Sequence, residues 1–310
     1  MKAVSAIIVN LNGQSVFTGE QVPDAAKHYH GKPMLEGCLG ALAALTQEPD
    51  AEVFLVDNGS TDGSVDMAKA SFPAIRLILN AENRGFAPAV LQAAALSSAR
   101  YLLLVNSDVI IDTPRVRRLI AEMEARPRLG VLACRTEYPG GTLQTPASWL
   151  PTPGRVLAQL LGLSKPHDRA FDAATYGEPE WVAGGLLLIR REAWDAVGGF
   201  DAGFVFYEED ADLCLRLRRA GWGIGYTPEV TVMHVRAASA TRDPAFSLTQ
   251  RYRSLLRYAG KHFPWPAVVL IRLAVAGRML ARGVLALVRL EHQGVAGAAF
   301  RVCLETLTTP

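Results

Sequence analysis

The 310-residue chain is poor in cysteine, in charge of one sign and in long apolar runs, and each shortage removes a class of protein. Its four cysteines, Cys38, Cys134, Cys214 and Cys303, stand far apart and form no metal-type pairs. That usage fits a reduced, cytoplasmic environment better than a disulfide framework. The balance of 32 basic and 30 acidic side chains leaves a formal charge of +2, which argues against nucleic acid as the main partner. Phe263 to Leu290 is strongly apolar, but Arg272, Arg278, Arg282 and Arg289 cut it into runs far short of the ~20 residues that span a bilayer. Met1-Lys2 opens directly on an alternating strand, so no secretory leader is expected. What the chain does have is apolar content: at 50% hydrophobic it can bury one large domain, with or without an appendage.

The apolar residues are organised. Val4 to Val9, Glu52 to Val56, Ile75 to Leu79 and Tyr101 to Val105 are short unbroken runs, each predicting a buried strand. Helical spacing separates them at Leu35 to Gln47 and at about Ala87 to Ala99. Strands alternating with helices predict an α/β fold, a mostly parallel, Rossmann-like sheet covered on both faces. In such sheets ligands bind beyond the carboxyl ends of the strands. Asn10, Asp57 and Asp108 each follow a strand end and are expected to share one crevice. Gln14 to Lys32 is polar and weakly periodic, and reads as a surface loop. Arg135 to Glu180 breaks into Pro- and Gly-rich loops, an expected acceptor-side surface. Trp181 to Ile189 predicts another strand, interrupted by Gly184-Gly185, and Val230 to Met233 a further one that ends at His234.

The densest chemistry lies at Glu208-Glu209-Asp210-Ala211-Asp212, where four carboxylates occupy five positions. Leu213 to Ala220 predicts a helix with Asp210 and Asp212 in its first turn, Arg216, Arg218 and Arg219 near its end, and Gly221 as the stop. Helix capping and dipole pairing explain one or two of those acids but not four. Mutual repulsion raises some of their pKa values toward neutrality, the condition for a general base that takes a proton from a hydroxyl. Glu209 and Asp210 are the candidates. Asp108, at the rim of Leu102 to Val105, suits a divalent ion that bridges phosphates, and Asn106 two positions earlier is expected on the same side. A lone histidine beside apolar residues is usually core, yet His234 follows a strand end after the acidic helix, as a ligand would. Asp57-Asn58-Gly59-Ser60 is a good turn sequence and also a place to hold a nucleoside. Gly184-Gly185 inside a strand is entropically costly unless something approaches closely; Gly198-Gly199 reads equally well as a tight turn.

In these motifs the chain resembles the inverting glycosyltransferases of family two with a GT-A fold, especially rhamnosyl- and galactofuranosyl-transferase-like members. The matching stretches are Ile7 to Gly13, Asp57 to Asp62, Asn83-Arg84-Gly85-Phe86, Leu104 to Asp108, Gly184-Gly185, Gly198 to Asp201, Glu208 to Leu213, Arg216 to Trp222 and His234. They occur in order across roughly residues 3–260, which the resemblance makes one glycosyltransferase domain, with residues 261–310 as a helical appendage. The resemblance implies transfer of a sugar from a nucleoside diphosphate donor (dTDP- or UDP-linked) to a hydroxyl of a glycan or lipid-linked glycan of the cell envelope. It implies Asp210 or Glu209 as base; Asn10, Asn12, Asp57, Asn58, Arg84, Gly85 and Asn106 on the donor; Gly184, Gly185 and Asp212 on the acceptor; and Asp108 with His234 as ligands of Mg²⁺ or Mn²⁺. Three departures stand out: Asn106 where many relatives carry Asp, Ala87-Pro88-Ala89 where they carry glycine and asparagine, and the Gln14 to Lys32 insertion.

At 100° per residue Arg278, Arg282 and Arg289 fall on one face of the apolar tail, with leucines and valines elsewhere. That pattern predicts in-plane binding to an anionic membrane surface, on the inner face of the cell membrane, or packing on the body or in a homodimer. Two rivals to the enzyme reading are a nucleotidyltransferase, for which Asn10-Leu11-Asn12-Gly13 lacks a basic residue, and a non-catalytic sugar-binding or scaffold protein.

Overall fold

A computed structural model describes residues 2–12, 34–144, 147–164, 174–235, 244–288 and 293–308. The polar stretch at Gln14 to Lys32 and Arg289 lie outside the described residues. Eleven strands appear among them: β1 (Val4–Asn10), β2 (Ala51–Asp57), β3 (Arg76–Leu79), β4 (Tyr101–Asn106), β5 (Val109–Ile110), β6 (Leu129–Glu137), β7 (Leu143–Gln144), β8 (Ala147–Ser148), β9 (Trp181–Val182), β10 (Leu186–Arg190) and β11 (Gly223–His234). The helices are α1 (Met34–Leu42), α2 (Ser64–Ser71), α3 (Phe86–Leu96), α4 (Thr113–Glu124), α5 (Pro153–Leu160), α6 (Arg191–Ala196), α7 (Glu209–Arg219), α8 (Pro244–His262), α9 (Trp265–Val288) and α10 (Gln293–Thr308).

The main sheet runs β3-β2-β1-β4-β10-β6-β11-β5, with β7 on β6. Strands β1 to β4 are parallel, as are β6 and β11, while β10 runs antiparallel to both its neighbours. Alternation explains why the predicted runs are unbroken. Leu103 and Val105 pack under α1 and α4, whereas Leu102 and Leu104 pack under α3 and α7, so both faces of β4 need apolar side chains. A third cluster joins α5, α8, α9 and α10 beside the sheet.

Four expectations change. The run Trp181 to Ile189 is two strands, because β9 pairs with β8 in a separate ribbon and Ala183-Gly184-Gly185 crosses to β10. The segment read as loops from Arg135 to Glu180 contains the end of β6 and all of α5, which Thr152 and Pro153 start as N-cap and first-turn residue. A division after residue 260 falls inside α8, which continues to His262. Finally, Arg278 does not lie on a free basic stripe: its guanidinium donates to Tyr252 Oη (3.1 Å) and to the Leu160 carbonyl (2.8 Å). The exposed surface of α9 carries Val269, Leu270, Leu273, Leu280, Val284 and Leu287 together with Arg278 and Arg282.

Candidate active site

The carboxyl ends of β1, β2 and β4 lie side by side, since Asn10 pairs with Asp57 and Val9 with Asn106. At the β1–β2 rim Asp57 is buried, and its turn closes around it. Its Oδ1 accepts from the Gly59 and Ser60 backbone N–H groups (3.1 and 2.8 Å), and its Oδ2 from Ser60 Oγ and Asn10 Nδ2 (2.6 and 2.8 Å). The Asn12 N–H donates to Ser60 Oγ at 2.8 Å, and Asn12 Oδ1 accepts from Thr61 N–H at 2.9 Å. Asn58 Nδ2 donates to the Gly85 carbonyl (3.0 Å), which ties this turn to Asn83-Arg84-Gly85. Asn10, Asn12, Asp57, Asn58 and Gly85 thus form one rim, with Arg84 exposed upon it. One buried acceptor there, Asn10 Oδ1, has no hydrogen-bond partner.

Gly184-Gly185 is the junction of the second half of the site. The Gly184 N–H donates to Asp210 Oδ2 at 2.8 Å, and the Gly185 carbonyl accepts from Asn106 N–H at 3.0 Å. The His234 ring lies against Gly185 so closely that an added Cβ would stand 3.0 Å from Cε1. His234 Nε2 in turn sits 3.2 Å from Asp108 Oδ1, and Gln144 Nε2 holds the His234 carbonyl at 2.5 Å. Side-chain bulk at Gly185 would press on the His234 ring, whereas a Cβ at Gly184 would stand in ordinary contact, 3.4 Å from Asp210 Oδ2. Asp108 is in the turn after β4 rather than on an extended backbone, and faces His234 across the β5–β11 pairing.

The loop into α7 is strained. Tyr207 and Glu208 both adopt left-handed backbone (φ 73° and 63°), a conformation that bulky side chains avoid. Burial, reinforced by the Asp210 charge, pushes the Glu208 carboxyl up to about 7. Burial and the same neighbour hold Glu209 well above the ordinary carboxylate range. Burial also raises Asp210, moderated by the N–H groups of Gly184 and Ala211. Glu209 Oε2 is buried without a hydrogen-bond partner. The expected repulsion among these acids is present, with desolvation the larger cause.

Asp212, expected on the acceptor, is elsewhere. It is fully buried, and Arg216 Nε, Lys261 Nζ and His262 Nε2 reach it at 2.7 Å each. Burial alone would raise its pKa; those partners outweigh burial and hold the carboxyl below its usual range. No free edge remains to bind a hydroxyl. Sequence reasoning missed Lys261, Gln144 and Ser60; of these only Ser60 carries a local signal, inside the Asp57 turn. Among the described residues no three His, Cys, Asp or Glu side chains gather as a metal cage, so Asp108 and His234 form a two-residue group.

Comparison with known proteins places the fold and the family. The family model described as "Glycosyl transferase family 2" matches residues 27–195. The N-acetylglucosaminyl-diphospho-decaprenol L-rhamnosyltransferase of Mycobacterium tuberculosis is 32% identical over 264 residues, covering 79% of this chain and 86% of that protein. The rhamnosyltransferase WbbL of Escherichia coli is 44% identical over 55 residues, 18% of this chain and 21% of that protein. Among solved structures, the mannosyltransferase PcManGT from Pyrobaculum calidifontis, in complex with GDP-Man and Mn²⁺, has the same fold at a TM-score of 0.53. It is 16% identical, and the match covers 98% of this chain and 87% of that one. With the crevice, the acidic helix and these likenesses together, the chain belongs to glycosyl transferase family 2 and is a nucleotide-sugar-dependent glycosyltransferase.

Proposed function

We propose that the protein transfers a deoxyhexose, rhamnose first among candidates, from a dTDP- or UDP-linked donor to a hydroxyl of a diphospho-lipid-linked glycan, with inversion. The observation that carries this reading is the Gly184-Gly185 junction, which touches Asp210 on one side and His234 on the other. The donor nucleoside rests on the rim of Asn10, Asn12, Asp57, Asn58 and Gly85, with Arg84 and Asn106 beside its phosphates. Asp210 is the base. The backbone N–H groups of Gly184 and Ala211, with the Trp181 side chain, aim its carboxylate. As the acceptor oxygen bonds to the anomeric carbon, its proton passes to Asp210. The bond from that carbon to the diphosphate oxygen breaks, and the electron pair leaves with the diphosphate. Glu209, next to it, shares the raised basicity and is the alternative proton acceptor.

Asp108 and His234 would hold Mg²⁺ or Mn²⁺ with the donor diphosphate supplying further oxygens, a fit their 3.2 Å separation allows. Such an ion supplies charge neutralisation for the departing diphosphate. Excess chelator is expected to abolish turnover; undiminished turnover removes both residues from that role.

The test pairs dTDP-L-rhamnose with a short-chain N-acetylglucosaminyl-diphospho-polyprenol. Asp210→Asn should lower kcat by ~10²–10⁴ while nucleotide affinity persists. Full turnover in both Asp210→Asn and Glu209→Gln rejects the base assignment, and no transfer from any of a panel of nucleotide sugars rejects the enzyme.

For the lipid-linked acceptor the reading includes peripheral attachment to the cytoplasmic membrane surface. No helix among the described residues is long and apolar enough to cross a membrane. The support is α9, whose 24 residues extend ~36 Å and turn leucines and valines outward, a shape for lying in the plane of the headgroups. Flotation with anionic liposomes should be lost in Leu273→Lys/Leu280→Lys at unchanged melting temperature; equal flotation of variant and parent refutes the attachment.

A further inference from the structure

The loop that delivers Asp210 begins at Asp201 and ends at Asp212, and a single ammonium group joins those two acids. Lys261 Nζ, near the end of α8, lies 2.8 Å from Asp201 Oδ2 and 2.7 Å from Asp212 Oδ1. We propose that Lys261 is a positioning residue, a clamp that sets the direction of the Asp210 carboxylate by fixing both ends of this strained loop.

Three observations carry the inference. The loop needs external support, because consecutive left-handed residues at Tyr207 and Glu208 persist only where surroundings over-determine them. That support comes from α8 along the whole loop. Arg257 reaches Asp201 (2.7 Å) and covers the buried Phe204 ring, and Ser254 Oγ donates to the Phe206 carbonyl (2.7 Å). Lys261 then closes the span. On the opposite side the loop meets the donor rim, where Phe86 N–H donates to the Val205 carbonyl at 2.8 Å. A loop gripped from both sides transmits any slack to its exit, the first turn of α7, where Asp210 must meet the Gly184 N–H.

The charges fit a clamp better than a surface ion pair. Asp212 is fully buried, and its pairing with Lys261 is screened far less than exposed pairs are. Burial raises Asp201 as well, yet Lys261, the Gly203 N–H and Arg257 together hold it below the usual carboxylate range. Both acids therefore stay ionised and grip Lys261 at neutral pH. Removing the ammonium leaves Asp212 still paired with Arg216 and His262, so the fold retains a partner for the buried charge.

The inference rests on Asp210 as base, and the experiment separates the two. Kinetics with dTDP-L-rhamnose and the short-chain acceptor should show Lys261→Met losing kcat on the order of 10- to 100-fold, the penalty of a small misplacement, with donor KM within about twofold. Lys261→Arg, which keeps a cation in reach of both acids, should recover kcat to within about threefold. Asp201→Asn loosens one end only and should fall between them; it decides by the same split if Lys261→Met does not fold. Unchanged kcat in a folded Lys261→Met, or equal loss in Lys261→Met and Lys261→Arg, overturns the clamp while an inactive Asp210→Asn leaves the base assignment standing. Full turnover in Asp210→Asn removes both.

Discussion

At the β1–β2 rim all the hydrogen bonds that organise Asp57 come from its own turn and the neighbouring strand end, whereas at the start of α7 Glu209 keeps a buried oxygen without a partner. The first region has the Asp57 carboxylate satisfied before anything binds and leaves one buried acceptor, Asn10 Oδ1, open; the second holds three raised carboxyls where a left-handed turn at Tyr207-Glu208 enters α7. The difference separates two jobs. A nucleoside site gains affinity from a preformed shape. A base must hold basicity that bulk water would erase, so it needs burial, like charges and a frame strong enough to keep them there.

Substitutions on the two sides should therefore fail differently. The largest effect belongs to Asp210→Asn, ~10²–10⁴ in kcat or about 3–5 kcal/mol of activation free energy, with nucleotide binding intact. Next comes Gly85→Ala, at the seam between the regions. Gly85 has φ 92°, and an added Cβ would stand 2.6 Å from the Val205 carbonyl oxygen. The variant should lose more than about 2 kcal/mol of stability by urea titration, since both the backbone strain and the collision oppose it. Wild-type stability in that variant would mean the two rims are not mechanically joined. Ser60→Ala is smaller. It deletes the hydroxyl that links Asp57, Asn10 and Asn12, and should raise donor KM by about 1 kcal/mol, roughly fivefold, at constant kcat. A fall in kcat instead would show that the nucleoside rim also shapes the chemical step.

These contrasts mark where sequence reasoning reaches and where it stops. Strands β1, β2 and β4 were legible because both their faces are buried, which forces unbroken apolar runs up to a polar turn. The acidic helix was legible because its crowding is local. Strand β6 was not, although it lies inside the sheet: Gly130, Cys134, Arg135 and Thr136 dilute its pattern, and no motif closes it. Gly184-Gly185 announced a close approach without naming Asp210 and His234 as what approaches. In sequence Asp212 is indistinguishable from its acidic neighbours, and only the path of α8, which brings Lys261 and His262 to it, reveals that it is a structural anchor. Lys261 and Asp201 are 60 positions apart, a separation that no spacing rule covers. On α9 the apolar surplus was visible, but which face stays outward depends on α5, α8 and α10.

The smallest effect probes the strain directly. Glu208 ionises near 7 in the folded protein, because burial and Asp210 oppose its charge, whereas in an unfolded chain it ionises in the ordinary range near 4.5. Below that range both states hold the proton and the group is neutral in its influence. As pH rises toward 7 the unfolded state loses the proton first, so the native state binds more protons and loses relative stability. Glu208→Gln lacks this titration. Its melting temperature relative to the parent should rise between pH 5 and pH 8, by about 2 °C for ~1 kcal/mol after allowance for solvent screening at a half-buried site. A gap that stays constant across that range would place the Glu208 carboxyl in contact with water. The α7 end of the crevice would then hold a conventional acidic surface rather than a set of raised carboxyls.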